Sequence, residues 1–351
     1  MTINVLVVDD SPFSRRALTK LLETAPEIKV IGTAYDGENA IKKVLSLRPD
    51  VITLDLEMPG MDGFAFLRWV MANRPVPVLV VSSRGDNRSV FQAMDLGAVD
   101  FLVKPAAKAS SKLFDLHRDL LEKIRAIPKL NLGNVQRQRP VTAPAPVPAP
   151  GPAPANDLRA FDLVAVGSST GGPPALQSIF SQAPPDLNTS FLIAQHMPPT
   201  FTRLFAERLD KHSALTVVEA EDGEPIRPGT AYIAPGGCQM RVQRGSREEM
   251  LHIQERTLHE RYAPSVDVMF ESVAETYGRH ALAVILTGMG SDGTNGLRKI
   301  KERGGRTIAE SEETAVIFGM PAEAIKQGQI DEVLPLPKIP RAIFSACKRR
   351  R

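Results

Sequence analysis

The sequence predicts an α/β protein of two domains, each a doubly wound parallel sheet, joined by an extended Pro/Ala-rich linker. Three observations carry this reading. Short apolar runs alternate with helix-period segments in both halves, a stretch of alternating prolines separates the halves, and 351 residues exceed one ordinary core.

Val5–Val8, Lys29–Gly32, Val51–Leu54, Val78–Val81 and Asp100–Val103 read as buried strands. Ser11-Pro12 opens the first helix, because the hydroxyl caps the free N–H groups and proline suits the first helical position. Phe13, Ala17, Leu18, Leu21 and Leu22 then share one helical face, and Ala40, Ile41, Val44 and Leu45 repeat the pattern. The expected architecture is (βα)5. Between residues 141 and 155, proline at nearly every second position excludes helix and central strand. Polyproline II at ~3.1 Å per residue would carry about fifteen residues across roughly 45 Å.

After the linker, Leu163–Val166, Phe191–Ala194, Leu282–Leu286 and Thr307–Ala309 read as the buried strands of a Rossmann-like domain. Ser265 opens a helix whose apolar stripe is Val266, Met269, Phe270, Val273, Ala274 and Tyr277. Residues 215–254 hold short strand-like pieces broken by Gly223, Gly229, Gly236, Gly237 and Gly245, which predicts an antiparallel excursion. The expected boundaries are 1–128 for the first domain, 129–158 for the linker and 159–347 for the second domain.

The apolar and charged fractions, 43% and 24%, are those of a soluble globular chain. A net charge of +3 gives no reason to expect nucleic acid or a membrane surface as partner, and the basic run Lys348–Arg351 is too short for a nucleic-acid patch. Cys238 and Cys347 lie far apart, so they form neither a metal-ligand spacing nor a disulfide framework. Asp9-Asp10 interrupts the first apolar run, which excludes a secretory signal, and no run approaches the ~20 apolar residues of a membrane span. A cytoplasmic location is expected.

Ligands of open parallel sheets bind beyond the carboxyl ends of the strands. In the first domain those ends carry Asp9, Asp10, Asp55, Ser82 and Lys104-Pro105. Three carboxylates at one edge repel one another unless a divalent cation with oxygen ligands, such as Mg²⁺, sits among them. The cation and Lys104 would stabilise a transferring phosphoryl group, and Asp55, closing the middle strand, is the natural nucleophile for an acyl phosphate. These positions, with the run Asp55–Gly63 and Gly97-Ala98, resemble the receiver domains of bacterial response regulators over about residues 3–125. The resemblance implies that Asp55 is phosphorylated by a sensor histidine kinase. By the same likeness Asp10, Asp55 and the Glu57 carbonyl would hold Mg²⁺, with Asp9 acting through water. Ser82 and Phe101 would be the switch pair, with phenylalanine standing where many receivers carry tyrosine.

Gly167-Ser168-Ser169-Thr170-Gly171 fits G-x-S-x-G between a strand and a helix, the context of a nucleophile elbow presenting Ser169. A turn rich in glycine and hydroxyls in that place suits a phosphate equally well. His196 closes the next strand and Asp292 follows Leu282–Leu286, so serine, histidine and aspartate converge on one edge. That is the set an acyl-transfer serine needs: an imidazole base and a carboxylate to orient it. The glycine-flanked N–H of Met289 is the candidate oxyanion donor. His252 and the pair His259/Glu260 are rival bases outside the parallel edge. Asp267 is a rival orienter, better placed to serve the start of its own helix, and Asp292 itself has a plain alternative as a cap of the helix beginning near Gly293. The order Ser, His, Asp differs from the Ser, Asp, His of α/β-hydrolases, which excludes that fold.

Gly-Ser-Ser-Thr-Gly-Gly, Gln-His-Met-Pro, Ile-Ala-Pro-Gly-Gly, Pro-Ser-Val-Asp-Val and Leu-Thr-Gly-Met-Gly-Ser-Asp-Gly together resemble the catalytic domain of the chemotaxis protein-glutamate methylesterases, over about residues 159–346. The resemblance implies a monomeric, phosphorylation-activated hydrolase with no cofactor for its chemistry. It would demethylate glutamate methyl esters and deamidate glutamines on methyl-accepting chemotaxis receptors. Ser169 would attack, His196 relay the proton and Asp292 orient the imidazole.

Overall fold

β1 (Ile3–Val8), α1 (Pro12–Leu22), β2 (Ile28–Ala34), α2 (Gly37–Leu47), β3 (Val51–Leu54), α3 (Gly63–Asn73), β4 (Val78–Ser82), α4 (Asn87–Asp95), β5 (Asp100–Val103), α5 (Ser110–Ala126) and α6 (Leu132–Arg137) make up the first half of the protein. The computed structural model describes residues 2–82, 87–104, 110–130, 132–137, 160–257 and 260–348. The Pro/Ala-rich stretch, Pro105, His259 and Arg349–Arg351 lie outside them. The chain divides into two compact units, residues 1–139 and 140–351.

The first unit is one five-stranded parallel sheet in the order β2-β1-β3-β4-β5. The strand order reverses between β1 and β3, which opens a crevice at their carboxyl ends. Helix starts follow local chemistry: Ser11, Asp36 and Asp62 accept N–H groups of the first turns of α1, α2 and α3, and proline stands at the first position of α1. The predicted helix faces need two corrections. Phe13 is 79% exposed and Leu45 is 54% exposed, whereas Leu18, Leu22, Ala40 and Val44 are buried. Phe13 belongs to the first turn of α1, beside the open edge of the sheet, where helical spacing no longer implies a covering layer.

The second unit contains β6 (Leu163–Ser168), α7 (Gly172–Phe180), β7 (Ser190–Gln195), α8 (Pro199–Asp210), β8 (Thr216–Glu219), β9 (Thr230–Ile233), β10 (Cys238–Arg244), β11 (Glu249–Glu255), α9 (Val266–Tyr277), β12 (Ala281–Ile285), α10 (Thr294–Glu302), β13 (Arg306–Glu310), α11 (Met320–Lys326), β14 (Glu332–Leu334) and α12 (Ile339–Ala346). Seven strands form a parallel sheet in the order β14-β13-β12-β6-β7-β9-β8. The expectation for residues 215–254 holds for only part of that stretch. β8 and β9 join the parallel sheet, and β10 and β11 alone pair antiparallel, as a separate hairpin. Short strands of mixed polarity carry no mark of direction, so glycine spacing alone misassigned the first two.

β6, β7 and β12 are buried along their whole length, as central strands covered on both faces must be. On one face α9 contributes Met269, Phe270 and Val273, α10 contributes Leu297 and Ile300, and the hairpin contributes Met240, Val242 and Leu251. The hairpin is tied down where Val242 N–H donates to Ser272 Oγ at 3.0 Å. On the other face Phe191 meets Phe180 of α7 and Phe344 of α12 edge-on, with centroids 5.5 and 6.3 Å apart. Ser265 caps α9 as predicted. The order of this sheet reverses at β6 and β12, which is where the second site lies.

Candidate active site and phosphoacceptor pocket

In the first unit the crevice between β1 and β3 gathers the predicted acids. Asp9 and Asp55 are buried and Asp10 is exposed. Oxygens of Asp9, Asp10 and Asp55 lie within 4.8 Å of one another, an all-oxygen set that fits a hard divalent cation. Asp9 Oδ1 accepts the Ser11 N–H at 2.9 Å, and its Oδ2 lies 2.8 Å from Lys104 Nζ. Lys104 also pairs with Asp55. Its backbone N–H donates to the Ser82 carbonyl at 2.8 Å, so the β4–β5 pairing sets its place. Burial pushes the Asp55 carboxyl above its ordinary value, and neighbouring Asp9 adds to this against the pull of Lys104. Burial disfavours the Lys104 charge, yet its bonds to the two carboxylates win and hold its pKa above the ordinary lysine value. Glu57 N–H approaches Asp55 Oδ1 at 3.4 Å. Ser82 and Phe101 are buried on adjacent strands, two residues out of register: Val80 pairs with Phe101 and Ser82 with Val103.

In the second unit Ser168 of β6 pairs in register with Gln195 of β7, and His196 N–H donates to the Ser168 carbonyl at 3.0 Å. Ser169 and His196 are therefore the next residues on two adjacent strands. Gln195 braces the turn, accepting the Ser168 hydroxyl at 2.7 Å and donating to the Ser169 carbonyl at 2.9 Å and the His196 carbonyl at 3.1 Å. Gly171 has φ +81°, and a Cβ there would meet Val316 Cβ at 2.7 Å, so both backbone sign and space require glycine. Ser169 N–H donates to the Thr287 carbonyl at 3.0 Å, and the Thr287 hydroxyl donates to the Thr170 carbonyl at 2.9 Å. The turns after β6 and β12 thus hold each other.

His196 Nε2 and Asp292 Oδ2 are 2.7 Å apart. Asp292 also accepts the Ser265 hydroxyl and the Val266 N–H at 2.8 Å each, and the Asp267 N–H at 3.0 Å. Burial alone would raise its pKa. The His196 hydrogen bond and charge and the two backbone N–H groups outweigh that and hold it below the ordinary aspartate value. With Nε2 committed to the carboxylate, Nδ1 is the imidazole nitrogen left for proton transfer. The Ser169 hydroxyl, on a residue 8% exposed, makes no hydrogen bond among the described residues. The serine and the imidazole thus share an edge without the bond between them being made. Met289 N–H donates to no backbone carbonyl among the described residues.

The rivals fall elsewhere. His252 lies on the antiparallel hairpin and bonds Asp222 at 3.0 Å, and Glu260 accepts the Thr257 N–H at 2.7 Å. Asp267 stands in the first turn of α9 as expected, whereas Asp292 does not cap the helix that its own position suggested. Asp267 also accepts the Gly296 N–H of α10 at 2.8 Å. Gly293 stands at the N-cap of α10 with no side-chain cap, and Asp292 serves α9 instead. Sequence reasoning missed four residues that build the site: Gln195, Thr287, Tyr262 and Glu310. Tyr262 stacks on the His196 ring, with centroids 4.6 Å apart and planes 8° apart. Glu310 is fully buried and accepts the Thr287 N–H at 2.9 Å and the Thr314 hydroxyl at 3.0 Å. A polar residue closing a buried strand, as Gln195 and Glu310 do, is the available signal, because such a group must find a partner.

Comparison with known proteins places both units in known families. The CheB methylesterase family matches residues 164–343, and the response regulator receiver domain family matches residues 5–113. The chain is 45% identical to protein-glutamate methylesterase/protein-glutamine glutaminase 3 of Geobacter sulfurreducens, covering 98% of this chain and 97% of that protein. It is 45% identical to the corresponding protein 1 of Myxococcus xanthus, covering 99% and 98%. Among solved structures, the CheB methylesterase catalytic domain of Thermotoga maritima superposes with a TM-score of 0.51 at 43% identity, covering 53% of this chain and 98% of that one. The chain therefore belongs to the CheB methylesterase family and carries a response regulator receiver domain ahead of its methylesterase domain.

Proposed function

We propose that this protein is a phosphorylation-activated serine hydrolase that demethylates glutamate methyl esters, and deamidates glutamines, on methyl-accepting chemotaxis receptors. The observation that carries the reading is the His196–Asp292 bond of 2.7 Å, one strand away from a serine on a tightly braced turn. The near-full-length likeness to protein-glutamate methylesterases supplies the substrate class.

Ser169 Oγ attacks the side-chain acyl carbon and its proton passes to His196 Nδ1. Asp292 holds the imidazole by Nε2 and stabilises the cation that forms. The tetrahedral oxyanion is received by the Met289 N–H. Collapse returns the proton from His196 to the departing methoxide or amide nitrogen, releasing methanol or ammonia. Water, deprotonated by His196, then opens the acyl-serine to give the glutamate carboxylate and free Ser169. The Ser169–His196 hydrogen bond is made when substrate fills the site, as catalytic contacts commonly tighten in the complex. The hydrolysis is assigned to these residues and water, without a cofactor.

In the receiver domain Asp55 accepts the phosphoryl group from a sensor histidine kinase. Asp10, Asp55 and the Glu57 carbonyl would hold Mg²⁺, with Asp9 acting through water, and the ion would neutralise charge on the incoming phosphoryl. Lys104 pairs with the phosphorylated Asp55, and Ser82 and Phe101 report its state by rearranging. The receiver domain is assigned to residues 1–128, the linker to 129–158 and the methylesterase domain to 159–347. No described helix is long and apolar enough to cross a membrane. The protein is assigned to the cytoplasm, acting as a monomer and without nucleic acid.

The test is methanol release from methylated receptor by the full chain, with and without a small acyl-phosphate donor. Wild type releases methanol and does so faster with the donor, and Ser169→Ala releases none. An active Ser169→Ala protein would overturn the hydrolase mechanism, and an unchanged rate with donor would overturn the activation.

A further inference from the structure

A single hydrogen bond leaves the His196 ring one freedom. The bond from Nε2 to Asp292 fixes a point and a direction, but the ring can still roll about that axis, and rolling swings Nδ1 away from the nucleophile. A contact with the face of the ring opposes that roll. Tyr262 makes that contact, with its phenol nearly parallel to the imidazole, 8° between planes and 4.6 Å between centroids. The Arg261 guanidinium carbon lies over the same phenol, 5.0 Å from its centroid.

The position of Tyr262 is itself built. Buried Gln239 donates to the Tyr262 carbonyl at 2.8 Å and accepts the Ser265 N–H at 2.9 Å. Ser265 in turn donates its hydroxyl to Asp292 at 2.8 Å. One short segment, clamped by one glutamine, therefore carries both the residue that faces the imidazole and a residue that holds its carboxylate. At its far end the phenol reaches the turn after β12, since a Cβ on Gly290 would stand 3.1 Å from Tyr262 Oη. Tyr262 spans the distance from the proposed base to the turn that carries Met289.

We propose that Tyr262 is a positioning residue that sets the plane of the His196 imidazole and so directs Nδ1 toward Ser169. The proposal rests on His196 acting as the base. Tyr262 takes no part in the bonds made or broken, and its effect falls on kcat rather than on KM. What matters is a flat aromatic face, not the phenolic hydroxyl.

The full chain, activated by a small acyl-phosphate donor, is assayed for methanol release from methylated receptor. Tyr262→Phe and Tyr262→Trp are expected to keep kcat within about threefold of wild type. Tyr262→Leu and Tyr262→Gln are expected to lose about tenfold or more in kcat, roughly 1.4 kcal/mol, with KM unchanged. Two non-aromatic replacements keep the test readable if one fails to fold, and thermal unfolding of each shows which did. Equal losses in the Phe and Leu variants, full activity in both non-aromatic variants, or a change confined to KM would each overturn the proposal. Ser169→Ala and His196→Gln are run beside them. If those two are inactive while the Tyr262 series is flat, the positioning role alone fails. If His196→Gln is active, the assignment of the base fails.

Discussion

Asp292 and Asp267 exchange helix caps. Asp292, just before α10, accepts the N–H groups of Val266 and Asp267 at the start of α9. Asp267, in the first turn of α9, accepts the N–H of Gly296 in α10. Each carboxylate thus sits at the positive end of the other's helix, where backbone donors favour negative charge. The exchange fixes the two helix starts against one another and leaves Asp292 Oδ2 shared between the Val266 N–H and His196. The carboxylate proposed to orient the imidazole is held by the fold before any substrate arrives.

Asp292→Asn tests that arrangement. The amide keeps the shape but loses the charge, and its NH₂ must face a Ser265 hydroxyl, a backbone N–H or the imidazole, all of which donate to the carboxylate. kcat for methanol release is expected to fall on the order of 10³-fold or more, in line with the loss of an orienting aspartate in other serine hydrolases. Denaturant unfolding is expected to show a loss of about 1–3 kcal/mol from the mismatched buried donors. A variant with near wild-type kcat would show that the imidazole does not depend on this carboxylate.

The phosphoacceptor pocket predicts a requirement for a divalent cation. Asp9, Asp10 and Asp55 turn their oxygens to one point, and Lys104 answers only Asp9 and Asp55 among them. Removal of Mg²⁺ by chelation is expected to abolish incorporation of phosphate from an acyl-phosphate donor, with recovery on adding Mg²⁺ back. Asp55→Asn is expected to take up no phosphate and to lose activation by the donor. Phosphate incorporation into the Asp55→Asn protein, followed by mass spectrometry, would move the acceptor to another residue.

Gly288 lies against the proposed nucleophile. A Cβ there would stand 2.9 Å from Ser169 Cβ, 3.1 Å from Ser169 N and 2.3 Å from Met320 Sδ. The methionine can turn away, but the serine backbone is pinned by its bond to the Thr287 carbonyl. Gly288→Ala is therefore expected to displace Ser169. A shift approaching 1 Å costs on the order of 10²-fold in kcat, and the overpacking costs about 1–3 kcal/mol of stability. Kinetics and thermal unfolding of the same preparation separate the two effects, and an alanine variant with unchanged kcat would show that the turn has room to give.

The strand ends were legible in the sequence because apolar runs fix where buried strands stop, and parallel sheets place those stops on one edge. Asp9, Asp55, Lys104 and His196 stand at the strand ends read from those runs, Ser169 is placed by its G-x-S-x-G turn, and Ser265 caps its helix as its place before an apolar stripe predicts. What stayed hidden depends on contacts between distant segments. The exchanged caps of Asp267 and Asp292 require knowing that α9 and α10 start side by side. Tyr262 sits in a segment with no period, so nothing local ties it to His196. β8 and β9 looked like part of an antiparallel excursion because their glycine-bounded pieces fit a hairpin as well as a crossover, and only their neighbours in the sheet decide.

Glu310 makes the last prediction, and it concerns pH. Burial pushes this carboxyl up from the ordinary 4.5 to about 7, against the opposing bonds from the Thr287 N–H and the Thr314 hydroxyl. A folded-state pKa above the unfolded one means that the native protein prefers the protonated acid. Below pH 4.5 both states are protonated and Glu310 costs nothing. As pH rises toward 7 the unfolded chain ionises first, stability falls, and above 7 the cost is constant at roughly 3 kcal/mol, an upper figure from the size of the shift. Glu310→Gln removes the ionisation and keeps a carbonyl for the Thr287 N–H and an amide N–H for the Thr314 hydroxyl. Its stability relative to wild type is expected to climb between pH 4.5 and 7 and then level off, as read by denaturant unfolding across that range. Because Thr287 also receives the Ser169 N–H, the same substitution should leave the nucleophile turn in place and kcat within a fewfold of wild type at neutral pH. A difference in stability that stays flat across the window would show that Glu310 is not the buried acid responsible.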